Sequence, residues 1–197
     1  MIRIKRTLSR AAPLLLLVAS PVYAHPLPGD AVGGFVGGLL HPLLGIDHLL
    51  AMVAVGVWAA QLGGSAVWKV PPAFLFTMLI GAGVGLAGVG LPWIEPMIAA
   101  SVVILGLVIG ARAHMSPLLA SLLVAAFALF HGHAHMAELP AGALALNYIV
   151  GFALTTASLH GAGIAMGYLL HRHASGALVR AGGMGLAAAG VWMLVGI

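Results

Sequence analysis

The stretch HPLLGIDHLLAMVAVGVWA, residues 41–59, decides the fold because it sets ionisable side chains inside a run of apolar residues. The run is long enough to enter a bilayer as a helix, which needs about 20 such residues. It carries His41, Asp47 and His48, and ionisable groups at membrane depth are costly and usually kept for a function. Pro42 interrupts the segment, and broken helices beside polar groups are typical of binding sites in transporters. We therefore expect a membrane helix that bends or starts anew at Pro42 and carries a site.

The whole chain has the composition of a membrane protein. Of its 197 residues, 62% are hydrophobic and only 6% are charged, and a soluble domain needs more charged surface than that. The eight Lys and Arg outnumber the four Asp and Glu, but they form no patch, which excludes a nucleic-acid-binding protein. The chain has no cysteine, so a bound metal would depend on imidazole, carboxylate, other oxygen or thioether ligands. Imidazole with carboxylate suits a divalent cation.

The first 24 residues have the features of a secretory signal peptide. A basic segment, MIRIKRTLSR, precedes a short apolar run at residues 11–20, and Val22 and Ala24 form a small-x-small cleavage site. The alternative is an uncleaved first span, for which the apolar run is too short. Cleavage would make His25 the first mature residue. Its imidazole and free α-amine would then form a chelating pair, unless His25 is simply an arbitrary residue after the cleavage site.

The remaining apolar runs predict an all-α polytopic membrane protein, a bundle of six transmembrane helices within residues 25–197. Prolines mark several joins, since proline suits the first turn of a helix. For the second helix, Pro71-Pro72 predicts a start near residue 73. The six predicted spans cover residues 35–62, 73–89, 92–111, 117–135, 142–170 and 176–196.

The basic residues set the predicted orientation of these spans. Lys69, Arg112, Arg172 and Arg180 all fall in the first, third and fifth connections. Because Lys and Arg accumulate on the cytoplasmic side, these connections should face the cytoplasm. Six spans then leave the mature N-terminus and the C-terminus in the periplasm.

The first histidine cluster has a spacing that suits a shared ligand. His41 and His48 are seven residues apart, nearly two helical turns, so both would lie on one face of a continuous helix. Asp47 would either share the cation with His48 or hold that imidazole in place from behind. The alternative is an Asp-His pair that only satisfies its own hydrogen bond.

A second cluster lies in FHGHAHMAELP, residues 130–140. His131, His135 and Glu138 follow the spacing i, i+4 and i+7 and form one stripe if the helix continues that far, whereas His133 points to the opposite side. The stripe predicts ligands on a transport path. The alternative is a loose loop that scavenges metal weakly, as histidine-rich tracts do.

Two further polar residues lie in predicted spans. His160 is either a ligand deep in the fifth span or a packing residue that bonds to nearby hydroxyls such as those of Thr155, Thr156 and Ser158. Glu95 begins the third span and is either a helix cap or an outer attractor of cations.

With these motifs the chain resembles the HupE/UreJ family of hydrogenase and urease accessory proteins over nearly its whole mature length. The resemblance implies a permease for nickel, in some members cobalt, that supplies metal to nickel enzymes. The residues that carry it are the segments 41–59 and 130–140, Tyr148, Gly151-Phe152 and Leu159-His160-Gly161. The family's motif residues map onto His41, Pro42, Asp47 and His48, and onto His131, His133, His135 and Glu138.

We therefore expect a permease for Ni²⁺ or Co²⁺ in the bacterial inner membrane, and not an enzyme. The sequence has no P-loop, so the chain does not hydrolyse ATP by that route and would be a secondary permease. The protein would bind no cofactor tightly. Its direct partners would be the transported ion, the lipid bilayer and further copies of itself in a homo-oligomer. Its indirect partners would be the proteins that mature hydrogenase or urease. Uptake should fall as the pH drops toward the imidazole pKa of about 6.5, because neutral imidazole is the ligand form. The expected outer capture ligands are His25, His131, His135 and Glu138, and the expected ligands within the bundle are His41, Asp47, His48 and His160.

Two other functions fit the same residues. An intramembrane zinc-dependent hydrolase would use the histidines to hold Zn²⁺ and activate water, with Ser158 or Glu138 as a catalytic group. A metal-binding accessory or sensor subunit would bind the ion without moving it. Transport into vesicles separates a permease from both.

Overall fold

The computed structural model describes residues 34–137, 139 and 142–196, and every regular element in that part of the chain is an α-helix. The predicted signal peptide at residues 1–24 lies outside the described residues, as do the predicted ligands His25 and Glu138. The helices are α1 (Phe35–Leu44), α2 (Ile46–Leu62), α3 (Ala66–Leu86), α4 (Ile94–Gly110), α5 (Pro117–Ala137), α6 (Ala145–His173) and α7 (Gly176–Gly196).

Several of these helices are long and apolar enough to cross a membrane. Four helices, α3, α5, α6 and α7, meet that requirement singly, and α1 with α2 meets it as a pair bent by 83°. The apolar helix α4 has 17 residues, fewer than the roughly 20 that span a hydrocarbon core without tilt or thinning. The predicted multi-pass, all-helical architecture is therefore confirmed, while a count of six spans stays a prediction.

The break in the first span lies at Gly45, so its predicted position at Pro42 is wrong. Pro42 is buried inside α1, whereas Gly45 has an extended backbone with φ −80° and ψ 107°. The N–H of Gly45 donates to the His41 carbonyl over 3.2 Å and closes α1, and the Gly45 carbonyl accepts from Leu49 N–H over 2.9 Å and opens α2. Because Gly45 is extended, the helical path is interrupted there and the axis of α2 points in a different direction from that of α1. This accounts for the sharp bend.

Helix α3 begins earlier than the sequence predicts. The predicted start near residue 73 is wrong, because α3 runs from Ala66 and contains Pro71 and Pro72. A proline removes the N–H that would bond four residues back, so the loss falls on the carbonyls of Val67 and Trp68 in the first turn. The Trp68 side chain is 80% exposed, so this turn lies at the surface of the bundle.

The basic residues lie in helix ends more often than in connections, which corrects their predicted placement. Lys69 is in the first turn of α3, Arg172 is in the last turn of α6 and Arg180 is near the start of α7. Arg112 does lie in a turn, directly after α4. The ends of α2, α4 and α6 and the start of α7 line one cavity, so these residues mark one end of the bundle, here called the basic end.

Glycines bring the helix backbones into direct contact. At each of the following positions an added Cβ would overlap a backbone atom of the partner helix. The pairs are Gly56 with His160 and Gly163 with Val53 between α2 and α6, Gly132 with Met78 between α3 and α5, and Gly106 with Ala187 between α4 and α7. Small residues at helix contacts are the usual means of association in lipid. The chain has 28 glycines, and those at these four contacts let the helices pack closely.

We predict that Gly163→Ala lowers the free energy of unfolding by about 1–3 kcal/mol, the usual cost of overpacking a tight contact. The added methyl group would overlap the Val53 carbonyl, whereas Gly161 on the same helix has no atom within 4 Å of an added Cβ. Gly161→Ala is the matched control and should be neutral or stabilising, because alanine favours helices over glycine. An SDS titration of detergent-solubilised protein measures both. Equal stability of the two variants would contradict the packing described.

Candidate metal centre

Three imidazoles from three helices meet inside the bundle. His41 on α1, His48 on α2 and His135 on α5 each offer a ring nitrogen, and these three atoms lie within 4.8 Å of one another. Metal-imidazole bonds of about 2.0–2.1 Å hold ligand atoms at most about 4.2 Å apart, so small side-chain movements bring the three nitrogens to coordination distance. We call His41, His48 and His135 the histidine triad.

The bend at Gly45 is what brings His41 and His48 together. In a straight helix, seven residues separate them by about 10.5 Å along the axis, too far for one ion to bridge. Across the bend their ring centroids are 5.9 Å apart. The helix is not continuous, so the shared face that a continuous helix would give does not form. They instead approach from two helices of different direction, and His135 completes the group at 4.7 Å from each.

Asp47 holds His48 from behind. Its Oδ1 accepts a hydrogen bond from the His48 backbone N–H over 2.7 Å and lies 2.9 Å from His48 Nδ1. A carboxylate only accepts, so Nδ1 carries the proton and Nε2 carries the lone pair that a cation would use. This contact fits the orienting role, and it fits equally an Asp-His pair that only satisfies its own hydrogen bond. In the orienting role, a carboxylate raises the basicity of a ligating imidazole.

His135 is the least satisfied polar side chain of the triad. It is fully buried, and neither ring nitrogen has a hydrogen-bond partner among the described residues. Its ring stacks on Phe152 with centroids 4.4 Å apart and planes 9° apart, which fixes the ring without using its nitrogens. A buried polar group without a partner costs about 1–3 kcal/mol, so native proteins rarely keep one unless it has a task.

His131 is a fourth imidazole beside the triad, with its ring centroid 4.8 Å from that of His48. Ser101 Oγ donates its only hydrogen to the Ile98 carbonyl over 2.6 Å and therefore accepts from His131 Nε2, 3.0 Å away. The proton of His131 is then on Nε2 and its lone pair on Nδ1. Within the described part of the chain, that buried Nδ1 has no hydrogen-bond partner.

His160 lies apart from these four rings. Phe74 separates it from them, with the Phe74 centroid 5.2 Å from that of His160 and 5.5 Å from that of His131. The structure therefore does not bring His160 into the triad, although it buries the ring nearby. His160 Nε2 has no partner among residues 34–137, 139 and 142–196.

The hydroxyls that might have satisfied His160 bond elsewhere. Thr155 donates to the Leu39 carbonyl over 2.8 Å, and Thr156 points its hydroxyl at Met52 Sδ, 3.3 Å away. Ser158 is exposed and donates to the Leu154 carbonyl over 2.8 Å. The interpretation of His160 as a packing residue bonded to these neighbours is therefore wrong.

His133 points away from the triad, as the helical spacing predicted. Its Nε2 donates to the Val89 carbonyl over 2.7 Å, which ties the end of α5 to the turn that follows α3. The bond explains why a histidine at this position is buried without lying near the other rings. Its predicted role as a ligand has no geometric support in the described residues.

Glu95 is a site residue that the sequence left undecided. It lies in the first turn of α4 and is close enough to Asp47 and His48 for an electrostatic interaction with both. A second carboxylate therefore stands near the histidines. The sequence does contain a signal that could have identified Glu95 as a candidate site residue, because it is one of only four acidic residues in the chain.

The chain is similar in sequence to known proteins over almost its full length. The sequence profile of the family described as HupE / UreJ protein matches residues 13–193. The chain is similar to a protein described as Protein HupE, from Rhizobium leguminosarum bv. viciae, with 42% identity over 188 residues that cover 95% of this chain and 98% of that protein. No solved structure matches.

We predict that Asp47→Asn weakens the binding of Ni²⁺ and Co²⁺ by about 10–100-fold, the usual effect of losing a carboxylate that orients a ligating histidine. His48→Ala should weaken it further, because it removes the ligand itself. Isothermal titration of purified protein in detergent measures both. His114→Ala is the matched control, since His114 is exposed in the turn between α4 and α5. Wild-type affinity in Asp47→Asn would contradict the role given to Asp47.

Proposed function

The chain belongs to the HupE/UreJ family, and we propose that it is a secondary permease that carries Ni²⁺ or Co²⁺ across the bacterial inner membrane for the maturation of hydrogenase or urease. The observation that carries the proposal is the buried triad, in which two halves of a broken helix and a third helix turn their imidazoles toward one point. Ligands on separate helices can part when the helices move, which suits a site that must release its ion.

The charges near the triad support a divalent substrate. Imidazole ligands are neutral and leave both charges of the ion uncompensated in apolar surroundings, where an uncompensated charge is costly. Asp47 behind His48 supplies one negative charge, and Glu95 at the start of α4 supplies a second. The remaining coordination positions would be filled by water or backbone oxygen, because three imidazoles do not complete the shell of Ni²⁺.

The order of the buried rings suggests a route. From the end of the bundle that holds Tyr148 and the triad, the next ring is His131, then Phe74, then His160. We propose that the ion binds first at the triad, with His131 as an alternative ligand, and reaches His160 once Phe74 turns aside. His25 and Glu138 remain predicted capture ligands at the outer side.

The orientation of the route follows from the basic end. The triad and Glu95 lie near the start of α2 and α4, whereas Arg112 and the end of α6 lie at the opposite end. By the positive-inside rule the basic end faces the cytoplasm. Transport would then run from the periplasmic triad toward the cytoplasm.

We predict that proteoliposomes containing the protein take up Ni²⁺ or Co²⁺, and that Asp47→Asn and His135→Ala lower the initial rate at least about tenfold. The reason is that the first change loosens His48 and the second removes the ring whose nitrogens have no other task. A metal-responsive dye inside the vesicles measures entry of the ion. His114→Ala should match the wild type. Equal filling of vesicles by wild type and both site variants would overturn the proposal.

The same assay separates the two alternatives. A sensor or accessory subunit would bind the ion with the affinities predicted above but would not fill the vesicles. For the zinc hydrolase, the Ser158 hydroxyl is exposed on α6 and occupied by the Leu154 carbonyl, so it does not stand at the histidines as a nucleophile. No contact in the described residues favours hydrolysis over transport.

A further inference from the structure

At the basic end, we propose a binding site for an anionic phospholipid, with its headgroup in a small cavity beside Arg112 and Gln61 and an acyl chain in the adjoining apolar groove. The cavity has a volume of about 170 Å³ and lies between the ends of α2, α4 and α6 and the start of α7. The groove has a volume of about 520 Å³, within the roughly 300–1,000 Å³ typical of ligand pockets. Neither is part of the metal centre.

The cavity offers the positive charge of Arg112 and a hydrogen-bond acceptor on Gln61. Arg112 follows α4 in a left-handed backbone conformation with φ 52°, and its guanidinium lies against Gly176 at the start of α7. Gln61 donates from Nε2 to the Ile109 carbonyl over 3.2 Å, and its buried Oε1 has no hydrogen-bond partner among the residues described. A phosphate fits the guanidinium, and a headgroup hydroxyl fits Gln61 Oε1. Phosphatidylglycerol carries both groups.

The charge at this end has no protein counterpart in the described part of the chain. The acidic residues in the described part of the chain are Asp47, which pairs with His48, and Glu95, which lies near that same pair. Both are at the other end of the bundle. Arg112 therefore has no carboxylate within reach. Basic pockets between membrane helices on the cytoplasmic side are suited to anionic lipid headgroups, and a lipid phosphate would supply the missing negative charge.

The groove continues directly from the cavity. Val57, Leu170 and Val179 line both, so an occupant can extend from one into the other without crossing protein. The groove separates α7 from α2 and α6, and its walls are apolar, with Leu50, Val53 and Leu186 along its length. A polar head over an apolar channel is the shape of a phospholipid. A second copy of this chain or free phosphate would match only one of the two parts.

Two variants test the two halves of the site separately. Arg112→Gln removes the charge at the cavity. Gly182→Leu fills the groove, since Gly182 lines it and has no atom within 4 Å of an added Cβ, and leucine favours the helix more than glycine does. The matched controls are Arg172→Gln, which removes a charge outside the cavity, and Gly83→Leu, which fills equally open space on α3.

Native mass spectrometry of delipidated protein, titrated with phosphatidylglycerol or phosphatidylcholine, measures binding. We expect the wild type to prefer phosphatidylglycerol by roughly fivefold, the contribution of one basic group near an anionic lipid. Arg112→Gln should abolish that preference while still binding lipid, and Gly182→Leu should weaken binding of both lipids. Both controls should match the wild type, and inorganic phosphate should not compete.

Three results would overturn the proposal. The first is an equal loss of preference in Arg112→Gln and Arg172→Gln, which would indicate general surface charge. The second is unchanged lipid binding in Gly182→Leu, with circular dichroism showing that it is folded. The third is a protein dimer that excludes lipid from the groove. None of these measurements uses metal, so their outcome is independent of the proposed transport.

Discussion

The extended backbone of Gly45 is the constraint on which the candidate metal centre depends. It ends α1 through the bond to the His41 carbonyl, opens α2 through the bond from Leu49, and turns the chain by 83°. Without that turn, His41 and His48 would be about two helical turns apart along one axis, and no ion could touch both. The same bend leaves Asp47 in the first turn of α2, where it bonds both to the His48 ring and to the His48 backbone.

Close helix packing supplies the second condition, the burial of the imidazole rings. Because glycines let α3 approach α5 and α2 approach α6 to backbone contact, the rings of His131, His135 and His160 are buried among apolar neighbours. The hydroxyls near them are committed to carbonyls and to a thioether. His135 therefore keeps both ring nitrogens, and His131 keeps its Nδ1, without a hydrogen-bond partner among the described residues.

Much of this arrangement could be predicted from the sequence. The spacing of His131 and His135 placed both on one buried face of α5, and the odd position of His133 placed it on the other. The hydrogen bond from His133 to the Val89 carbonyl could not be predicted from the sequence, because it depends on the conformation of the turn between α3 and α4. The sequence predicted the bend at Pro42 because proline breaks a helix, whereas this proline is accommodated inside α1 and the break lies at Gly45. Whether His160 would face the triad could not be inferred from periodicity, which shows the face of a helix but not the ring that packs against it.

The position of Phe74 has a consequence for the energetics of the membrane. A continuous series of imidazoles across a bilayer would also conduct hydrogen ions, since each ring can accept one on one nitrogen and release one from the other. The benzene ring between His131 and His160 has neither function, so it interrupts that relay at a single point. On the proposed route, metal ligands would then stand on both sides of Phe74 without a continuous path through which hydrogen ions could leak down the electrochemical gradient of the membrane.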